Sequence, residues 1–326
     1  MGRSCLASWA FAVLALVVSA SPPLLAQDYP NRPITLVVPY AAGGGNDVMA
    51  RIVAEHMSRT LGQQLVIENR GGAGGTIATR GVARSAPDGY TLGVGGTGTL
   101  AVNPTLYANP GYDPRKDFAP VGLIATGALV VLVHPKVAAH SVAELIALAR
   151  QEPGKLNYAS AGVGSGIHLA AELFANMAGI RLAHVPYRGT APALNDLIGG
   201  HVEIYFSSLP PALGLIGDGK VRALAVTGSK REKVLPDVPT VAEAGLPGYE
   251  AVLHYGIIAP AGVPRPIIDK LNAALRQALA APETHGLLAS AGAEPMPSTP
   301  ADYAADIDRE ETKWSQIVRQ SGAKAN

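Results

Sequence analysis

Glycine-rich loops in this chain place unpaired backbone donors beside small hydroxyl side chains, and this combination can bind an oxygen anion. The first loop follows an apolar, β-branched run that ends at Pro39, and it reads Tyr40-Ala41-Ala42-Gly43-Gly44-Gly45-Asn46-Asp47. An apolar pattern with helical spacing begins directly after it, which predicts a strand, a glycine loop and a helix. The first amides of a helix lack partners and lie at the positive end of its dipole. Since neither a phosphate-loop nor a dinucleotide motif is present, a carboxylate is the better prediction than a nucleotide.

Two further loops repeat this arrangement. The segment Ser160-Ala161-Gly162-Val163-Gly164-Ser165-Gly166 joins a predicted strand over 156–160 to a predicted helix, and its two serine hydroxyls can donate to an oxygen ligand. The segment Gly95-Gly96-Thr97-Gly98-Thr99 follows another predicted strand. Ligands of parallel α/β sheets bind beyond the carboxyl ends of the strands, where such loops lie. We therefore expect Ser165→Ala and Thr97→Ala to weaken binding with little effect on the empty protein.

The other polar candidates have structural alternatives. Asn46 or Asp47 can serve as the N-cap of an ordinary tight turn. Asp196 can accept from an amino or hydroxyl group of a ligand, or can pair on a helix face or between lobes. Arg188 is a candidate for a direct ion pair, or a solvated side chain. His254 either faces the cleft or is a satisfied structural histidine.

Tyr40 and Tyr187 each follow a proline at the end of a predicted strand. An aromatic ring at such a position can form the wall of a cleft, so we favour a place in the site over a place in the core for both.

A secreted serine hydrolase is the alternative class. The segment Tyr158-Ala159-Ser160-Ala161-Gly162 approaches the G-x-S-x-G nucleophile elbow, but its first glycine is missing and no motif ties Ser160 to a histidine. No H-E-x-x-H motif or Cys/His cluster occurs either. We therefore predict no enzymatic activity, no cofactor and no metal. A sensor component that presents its ligand to a receptor would use the same pocket.

The predicted elements that carry these loops form two βα lobes. Strands and helices alternate from residue 34, the apolar run over 121–133 crosses between the lobes, and 251–260 is a return strand. We predict lobe I over 27–127 plus 251–326 and lobe II over 128–250. Ser141–Glu144 and Thr240–Glu243 have capping-box spacing and predict helix starts. Two helices are predicted to close the chain, one near Pro266 and one from Thr299-Pro300.

Composition indicates secretion. Residues 1–26 carry one positive charge, at Arg3, an apolar stretch and small residues suited to cleavage after Ala20 or Ala26, which together predict a signal peptide. The only cysteine, Cys5, would be removed with it. The formal charge of +1 includes Arg3, so the mature chain is close to neutral. A nucleic-acid or electrostatic membrane binder would show a basic excess, so we predict neither, and we expect a monomer.

Several ordered motifs resemble the Bug-type substrate-binding proteins of tripartite tricarboxylate transporters. They include Val38-Pro39-Tyr40-Ala41-Ala42-Gly43-Gly44, Glu68-Asn69-Arg70, Pro87-Asp88-Gly89-Tyr90, His184-Val185-Pro186-Tyr187-Arg188-Gly189 and Leu235-Pro236-Asp237-Val238-Pro239-Thr240. The resemblance runs from about residue 29 to Trp314. It departs at Leu100-Ala101-Val102, where the family often has a histidine and a small polar residue, and at His254, where an aromatic is frequent.

This resemblance implies an α/β, two-lobed periplasmic-binding-protein fold of the type II-like kind, with two Rossmann-like domains joined by two crossing strands. It implies periplasmic capture of a small carboxylate and, in some members, delivery to a membrane permease. By matching motif, the implied ligand contacts are Tyr40, the loop Ala42, Gly43, Gly44, Gly45, Asn46 and Asp47, then Thr97, Ser160, Ala161, Gly164, Ser165, Tyr187 and Asp196. His254 is added as a candidate for the distal end of the ligand.

Overall fold

The computed structural model describes residues 29–321, so the predicted signal peptide lies outside the described residues. The strands in this range are β1 (Ile34–Val38), β2 (Leu65–Asn69), β3 (Thr91–Gly96), β4 (Phe118–Val133), β5 (Asn157–Ser160), β6 (Ala183–Pro186), β7 (Ile204–Ser208), β8 (Arg222–Val226), β9 (Val252–Pro260) and β10 (Ala293–Pro295). The α-helices are α1 (Gly45–Leu61), α2 (Thr76–Ala83), α3 (Asn103–Leu106), α4 (Val142–Gln151), α5 (Gly166–Ala178), α6 (Thr190–Gly199), α7 (Leu209–Gly217), α8 (Arg265–Ala280), α9 (Pro282–Ser290) and α10 (Pro300–Ser321).

One long strand connects the two halves of the molecule. The strands follow the order β2-β1-β3-β9-β4-β7-β5-β6, with β8 and β10 also paired to β4. Strand β4 pairs with β9 through Ala128 and with β7 from Leu129 onward. Strands β1, β2 and β3 are parallel to one another, and so are β5, β6 and β7. Strands β4 and β9 run antiparallel to their neighbours. Strand β4 thus changes its pairing partner from β9 to β7 between Ala128 and Leu129.

The local sequence explains why the site-bearing elements form. Strand β1 is apolar and almost fully buried, and the helix after it buries Met49, Val53 and Met57 at helical spacing. Helix α1 ends at Gly62, whose φ of 69° is the left-handed C-cap conformation that favours glycine. Helix α5 is capped by Ser165 and ends at Gly179 with the same conformation. Each glycine loop therefore leads into a firmly packed helix.

Several predicted elements were wrong in detail. The capping box of Thr240 and Glu243 forms both hydrogen bonds, but it closes a turn over 241–245 instead of a helix. Helix α7 and strand β10 were missed, and the end of the chain holds three helices, not two. The loop predicted over 95–99 belongs partly to β3 and partly to a π-helix, Thr97–Val102.

The larger of two hydrophobic clusters among the described residues has members in both lobes. Its largest fully buried side chains include Trp314, Tyr158, Tyr205, Tyr249 and Phe174. None of the helices between residues 29 and 321 combines the length and apolar character needed to cross a bilayer.

Candidate functional site

A cavity of about 490 Å³, counted with its opening to solvent, lies between the two lobes. Its wall brings together the glycine loop before α1, the π-helical segment after β3, the glycine loop before α5 and one stretch of β9. The lining residues are Tyr40, Gly44, Gly45, Asn46, Gly96, Thr97, Gly98, Thr99, Ala161, Ser165, Gly166, Ile167, Thr190, Ser208, Leu253, His254 and Tyr255. The loops after Tyr40 and after Ser160 thus face the same space.

Helix N-termini supply the electrostatics of this cavity. Helices α1, α5, α6 and α7 all have their cap or first residue in the lining, at Gly44, Ser165, Thr190 and Ser208. No lining residue in the described part of the chain is Asp, Glu, Lys or Arg. The positive ends of the helix dipoles therefore make the cavity favourable to an anion without a cationic side chain.

Several donors in this wall have no acceptor among residues 29–321. In α5, the amide of His168 donates to Ser165 Oγ and that of Leu169 to Ser165 O, which leaves the amides of Gly166 and Ile167 unpaired. In α1, Gly45 N donates to Ser208 Oγ at 3.2 Å, whereas the amide of Asn46 is unpaired. Unpaired amides from both lobes can therefore bind the same oxygen anion.

Tyr255 adds a side-chain donor. Its hydroxyl has no hydrogen-bond partner in the described chain, its side chain is almost fully buried, and burial raises its pKa. It is therefore a neutral phenol that can donate to a ligand oxygen.

Comparison with known proteins identifies the family. A family model described as "Tripartite tricarboxylate transporter family receptor" matches residues 49–323. The chain belongs to this family. The predicted resemblance to the Bug-type binding proteins is thereby confirmed.

Solved structures of similar proteins confirm the fold of this receptor. The periplasmic binding protein BugD is 38% identical, with a TM-score of 0.88 over 91% of this chain and 100% of that one. Rpa4515 of R. palustris, determined with adipate, is 40% identical, with a TM-score of 0.88 over 91% and 99%. MatC (Rpa3494) from Rhodopseudomonas palustris, with bound malate, is 38% identical, with a TM-score of 0.85 over 89% and 100%.

The cavity of this receptor contains part of the predicted ligand-contact set. Its lining includes Tyr40, Gly44, Gly45, Asn46, Thr97, Ala161, Ser165 and His254. The ring of Tyr40 forms part of the cavity wall. Its hydroxyl donates to Gly74 O at 3.1 Å and so is engaged by the loop that contains Gly74.

Asp47 does not line the cavity, because its carboxylate is fully engaged behind the loop. Oδ2 accepts from Gly43 N at 3.0 Å and from Arg51 Nε at 2.9 Å, and Oδ1 accepts from Asn69 Nδ2 at 3.0 Å. Burial raises the pKa of Asp47, but these hydrogen bonds outweigh it and lower the pKa overall. Ala42 and Gly43 also lie outside the lining. The structure thus gives Asp47 the role of a loop anchor.

Ser160 does have a histidine partner, but it cannot reach a substrate. Its Oγ lies 2.7 Å from His184 Nε2 and also accepts from Gly162 N. Ser160 has no solvent exposure and does not line the cavity. Gly164 is likewise outside the lining, and its amide donates to His168 Nδ1 at 3.3 Å. This serine therefore shapes the loop and is inaccessible as a nucleophile.

Tyr187 and Asp196 bind each other outside the cavity. The Tyr187 hydroxyl donates to Asp196 Oδ2 at 2.6 Å, and burial together with this carboxylate raises the pKa of Tyr187 to about 12. Neither residue lines the cavity. They stabilise the loop that leads into α6.

The ring of His254 is held against α10. Its Nδ1 lies 2.8 Å from Asp306 Oδ2, while its main-chain amide donates to Thr97 Oγ1 at 2.9 Å. Since side chains alternate along a strand, Leu253 and Tyr255 share the other face of β9. We therefore expect the main chain of His254, more than its ring, to contribute to the site.

Sequence reasoning missed Gly96, Gly98, Thr99, Gly166, Ile167, Thr190, Ser208, Leu253 and Tyr255. Thr99 lay in a polar loop that the sequence did single out, and Thr190 directly follows the motif over 184–189. Ser208 gave no signal in the sequence; it is the last residue of strand β7.

Ser165→Ala should destabilise the empty protein, contrary to our expectation from sequence. Ser165 Oγ accepts the His168 amide at 3.2 Å as the N-cap of α5, and loss of such a cap costs about 1 kcal/mol. Ser141→Ala is the matched control, because Ser141 caps α4 in the same way and does not line the cavity. Urea denaturation should show a similar loss for both, while only Ser165→Ala should weaken binding. Equal affinities would contradict a role for the Ser165 hydroxyl at the ligand.

Thr97→Ala should likewise destabilise the empty protein, as measured by urea denaturation, and weaken binding. Its oxygen already accepts from His254 N, so the substitution removes a structural acceptor as well as a hydroxyl in the cavity.

Proposed function

We propose that this receptor captures a small organic acid in the cavity between its lobes and delivers it to a tripartite tricarboxylate transporter. The proposal depends on one observation: four helix N-termini from both lobes converge on one cavity. Within residues 29–321, no Asp, Glu, Lys or Arg side chain lines this cavity. Such a wall offers an anion main-chain donors and helix dipoles.

The energetics suit a carboxylate. A hydrogen bond to a charged group contributes about 1.5–3 kcal/mol, and micromolar affinity requires about 8 kcal/mol. Three or four bonds from the Gly166, Ile167 and Asn46 amides and the Tyr255 hydroxyl would therefore suffice. The adipate held by Rpa4515 and the malate held by MatC support the same class of ligand for this chain.

The place of action that we propose is the periplasm, after removal of the predicted signal peptide. Members of this receptor family are periplasmic binding proteins, and the resemblance extends over nearly the whole mature chain. A permease of the tripartite type is the proposed partner.

A thermal-shift screen tests the proposed ligand class. The mature protein is heated with adipate, malate, other mono-, di- and tricarboxylates, amino acids and aromatic acids. At about a hundredfold excess over Kd, a ligand that binds only the folded state adds about 2.7 kcal/mol, so Tm should rise by on the order of 5 °C. A Tm that does not change with any acid would overturn the proposal.

A further inference from the structure

A stack of three rings, of which Tyr158 and His168 are buried and His184 is half-buried, lies behind the glycine loop of lobe II. The ring centroids of Tyr158 and His184 are 4.8 Å apart, and those of His184 and His168 are 4.2 Å apart, with the planes of each pair nearly parallel. None of these three residues lines the ligand cavity. Direct contact with the ligand therefore does not account for them.

His168 holds one peptide group of this loop. The N–H of Gly164 points inward and donates to His168 Nδ1 at 3.3 Å. The carbonyl of Val163, which belongs to the same peptide group, accepts from the hydroxyl of Tyr107 in lobe I at 2.9 Å. Because a trans peptide is planar, with its N–H and C=O on opposite sides, an anchor at one end fixes the direction of the other.

The donor at Gly164 also defines the state of the imidazole. Nδ1 must be the acceptor, so the proton of the neutral ring is on Nε2, which lies 3.9 Å from Glu172 Oε1. The same Glu172 oxygen accepts from the hydroxyl of Tyr158. If Nδ1 carried a proton, or if the acceptor were absent, the Val163–Gly164 peptide could rotate and turn its N–H toward Tyr107.

We propose that His168 is a positioning residue for ligand capture, which holds the Gly164 amide and thereby turns the Val163 carbonyl toward Tyr107. This inference rests on the proposed function, because the contact between Val163 and Tyr107 joins the two lobes and its effect is measured as the affinity for an acid. The ring stack keeps His168 neutral and flat against His184. The Val163–Gly164 peptide then connects His168 to the hydrogen bond with Tyr107 in the other lobe.

A double-mutant cycle on the full mature chain tests the proposal. The variants are His168→Phe, which keeps a flat ring but removes the acceptor, Tyr107→Phe, which removes the donor from lobe I, and their combination. His168→Asn is the rescue variant, because its Oδ1 can replace Nδ1 as acceptor. The probe is adipate or malate, whichever gives the larger thermal shift, and the readout is Kd by calorimetry.

We expect each Phe variant to bind about tenfold more weakly, since one leaves the buried Gly164 amide unpaired and the other leaves the partly buried Val163 carbonyl unpaired. The double variant should be no weaker than the weaker single variant, because both changes break one linkage. His168→Asn should bind within about threefold of the unmodified protein. Losses that multiply in the double variant, or a His168→Asn variant as weak as His168→Phe, would overturn the inference.

NMR of the unmodified protein tests the inference without a ligand or a substitution. A scalar coupling between the Gly164 amide nitrogen and His168 Nδ1 is expected across the hydrogen bond. A proton found on Nδ1 would overturn the inference even if His168→Phe fails to fold. A protein that shows this coupling and binds no acid would contradict only the proposed function.

Discussion

Replacing Gly74 with alanine should leave a protein that folds but cannot close its lobes, and the affinity for the acid should fall at least about a hundredfold, or about 2.7 kcal/mol. Gly74 lies in lobe I, directly against the glycine loop of lobe II. A Cβ at this position would be 2.0 Å from Val163 O, far inside any real contact distance. The obstacle is main chain, which cannot turn aside as a flexible side chain could. The lobes would have to stay apart, and water would remain around the ligand.

The backbone conformation of Gly74 requires a control. Its φ of 59° and ψ of 25° are left-handed, so alanine is strained there by about 1 kcal/mol whatever the neighbours. Gly62, at the end of α1, has a φ of 69° and a ψ of 11°, and nothing lies within 4 Å of its Cβ position. Gly62→Ala should therefore lose similar stability and keep the affinity of the unmodified protein. Equal Kd values for Gly74→Ala and Gly62→Ala would refute the closure argument.

Gly71 allows the same test without backbone strain. Its φ is outside the left-handed region, and its Cβ would lie 2.9 Å from Arg188 O in lobe II and 3.4 Å from Ala41 N in its own lobe. Gly71→Ala should thus be compatible with the open protein and should oppose the closed one. We expect an intermediate loss of affinity, and a larger radius of gyration by small-angle scattering in the presence of the acid.

The glycine loops could be predicted because their signal is local. A buried β-branched run, three glycines and a helical apolar pattern lie next to one another in sequence, and they form strand β1, the loop and helix α1 in that order. The same logic found the loop before α5. Sequence alone could not say which polar atoms would remain free. That depends on neighbours distant in sequence, as with Asp47, which is engaged by Asn69, and Ser160, which is engaged by His184.

Residues from β7 and β9 show the same limit. Ser208 meets Gly45 across the cavity, although 163 positions separate them in sequence. Tyr255 and His254 are adjacent, yet alternation along β9 directs one ring toward the cavity and the other toward α10. Which face of a return strand meets the ligand is decided by the packing of the sheet, and no local pattern encodes it.

The second large effect should appear when the protein is acidified. Burial lowers the pKa of His184 to about 4, and burial together with nearby His184 lowers the pKa of His168 to about 3. In the unfolded chain both rings have a pKa near 6.5. Above this value they are neutral in both states and contribute no pH dependence. As the pH falls below about 6.5, the unfolded chain binds protons that the folded protein does not, so stability falls.

The neighbouring carboxyl group acts in the opposite direction. Burial raises the pKa of Glu172 despite the hydrogen bond from Tyr158, so this group takes up a proton earlier in the folded state and stabilises it as the pH falls. Each histidine can contribute up to about 3 kcal/mol between pH 7.5 and 4.5, because one pKa unit corresponds to 1.36 kcal/mol. Because the contribution of Glu172 has the opposite sign, we expect the net loss from this cluster to be smaller than the sum of the two histidine contributions.

Urea denaturation at a series of pH values, on the unmodified protein and on His184→Phe, isolates this effect. The variant keeps an aromatic ring in the stack but has no proton to bind, so its stability should depend less on pH between 6.5 and 4.5. His285→Phe, which removes an exposed ring on α9, should reproduce the curve of the unmodified protein. Parallel curves for the unmodified protein and His184→Phe would mean that the His184 ring binds its proton in the folded state over the same pH range as in the unfolded chain. In that case His184 would have to be the donor in its hydrogen bond with Ser160, since an imidazolium nitrogen cannot accept.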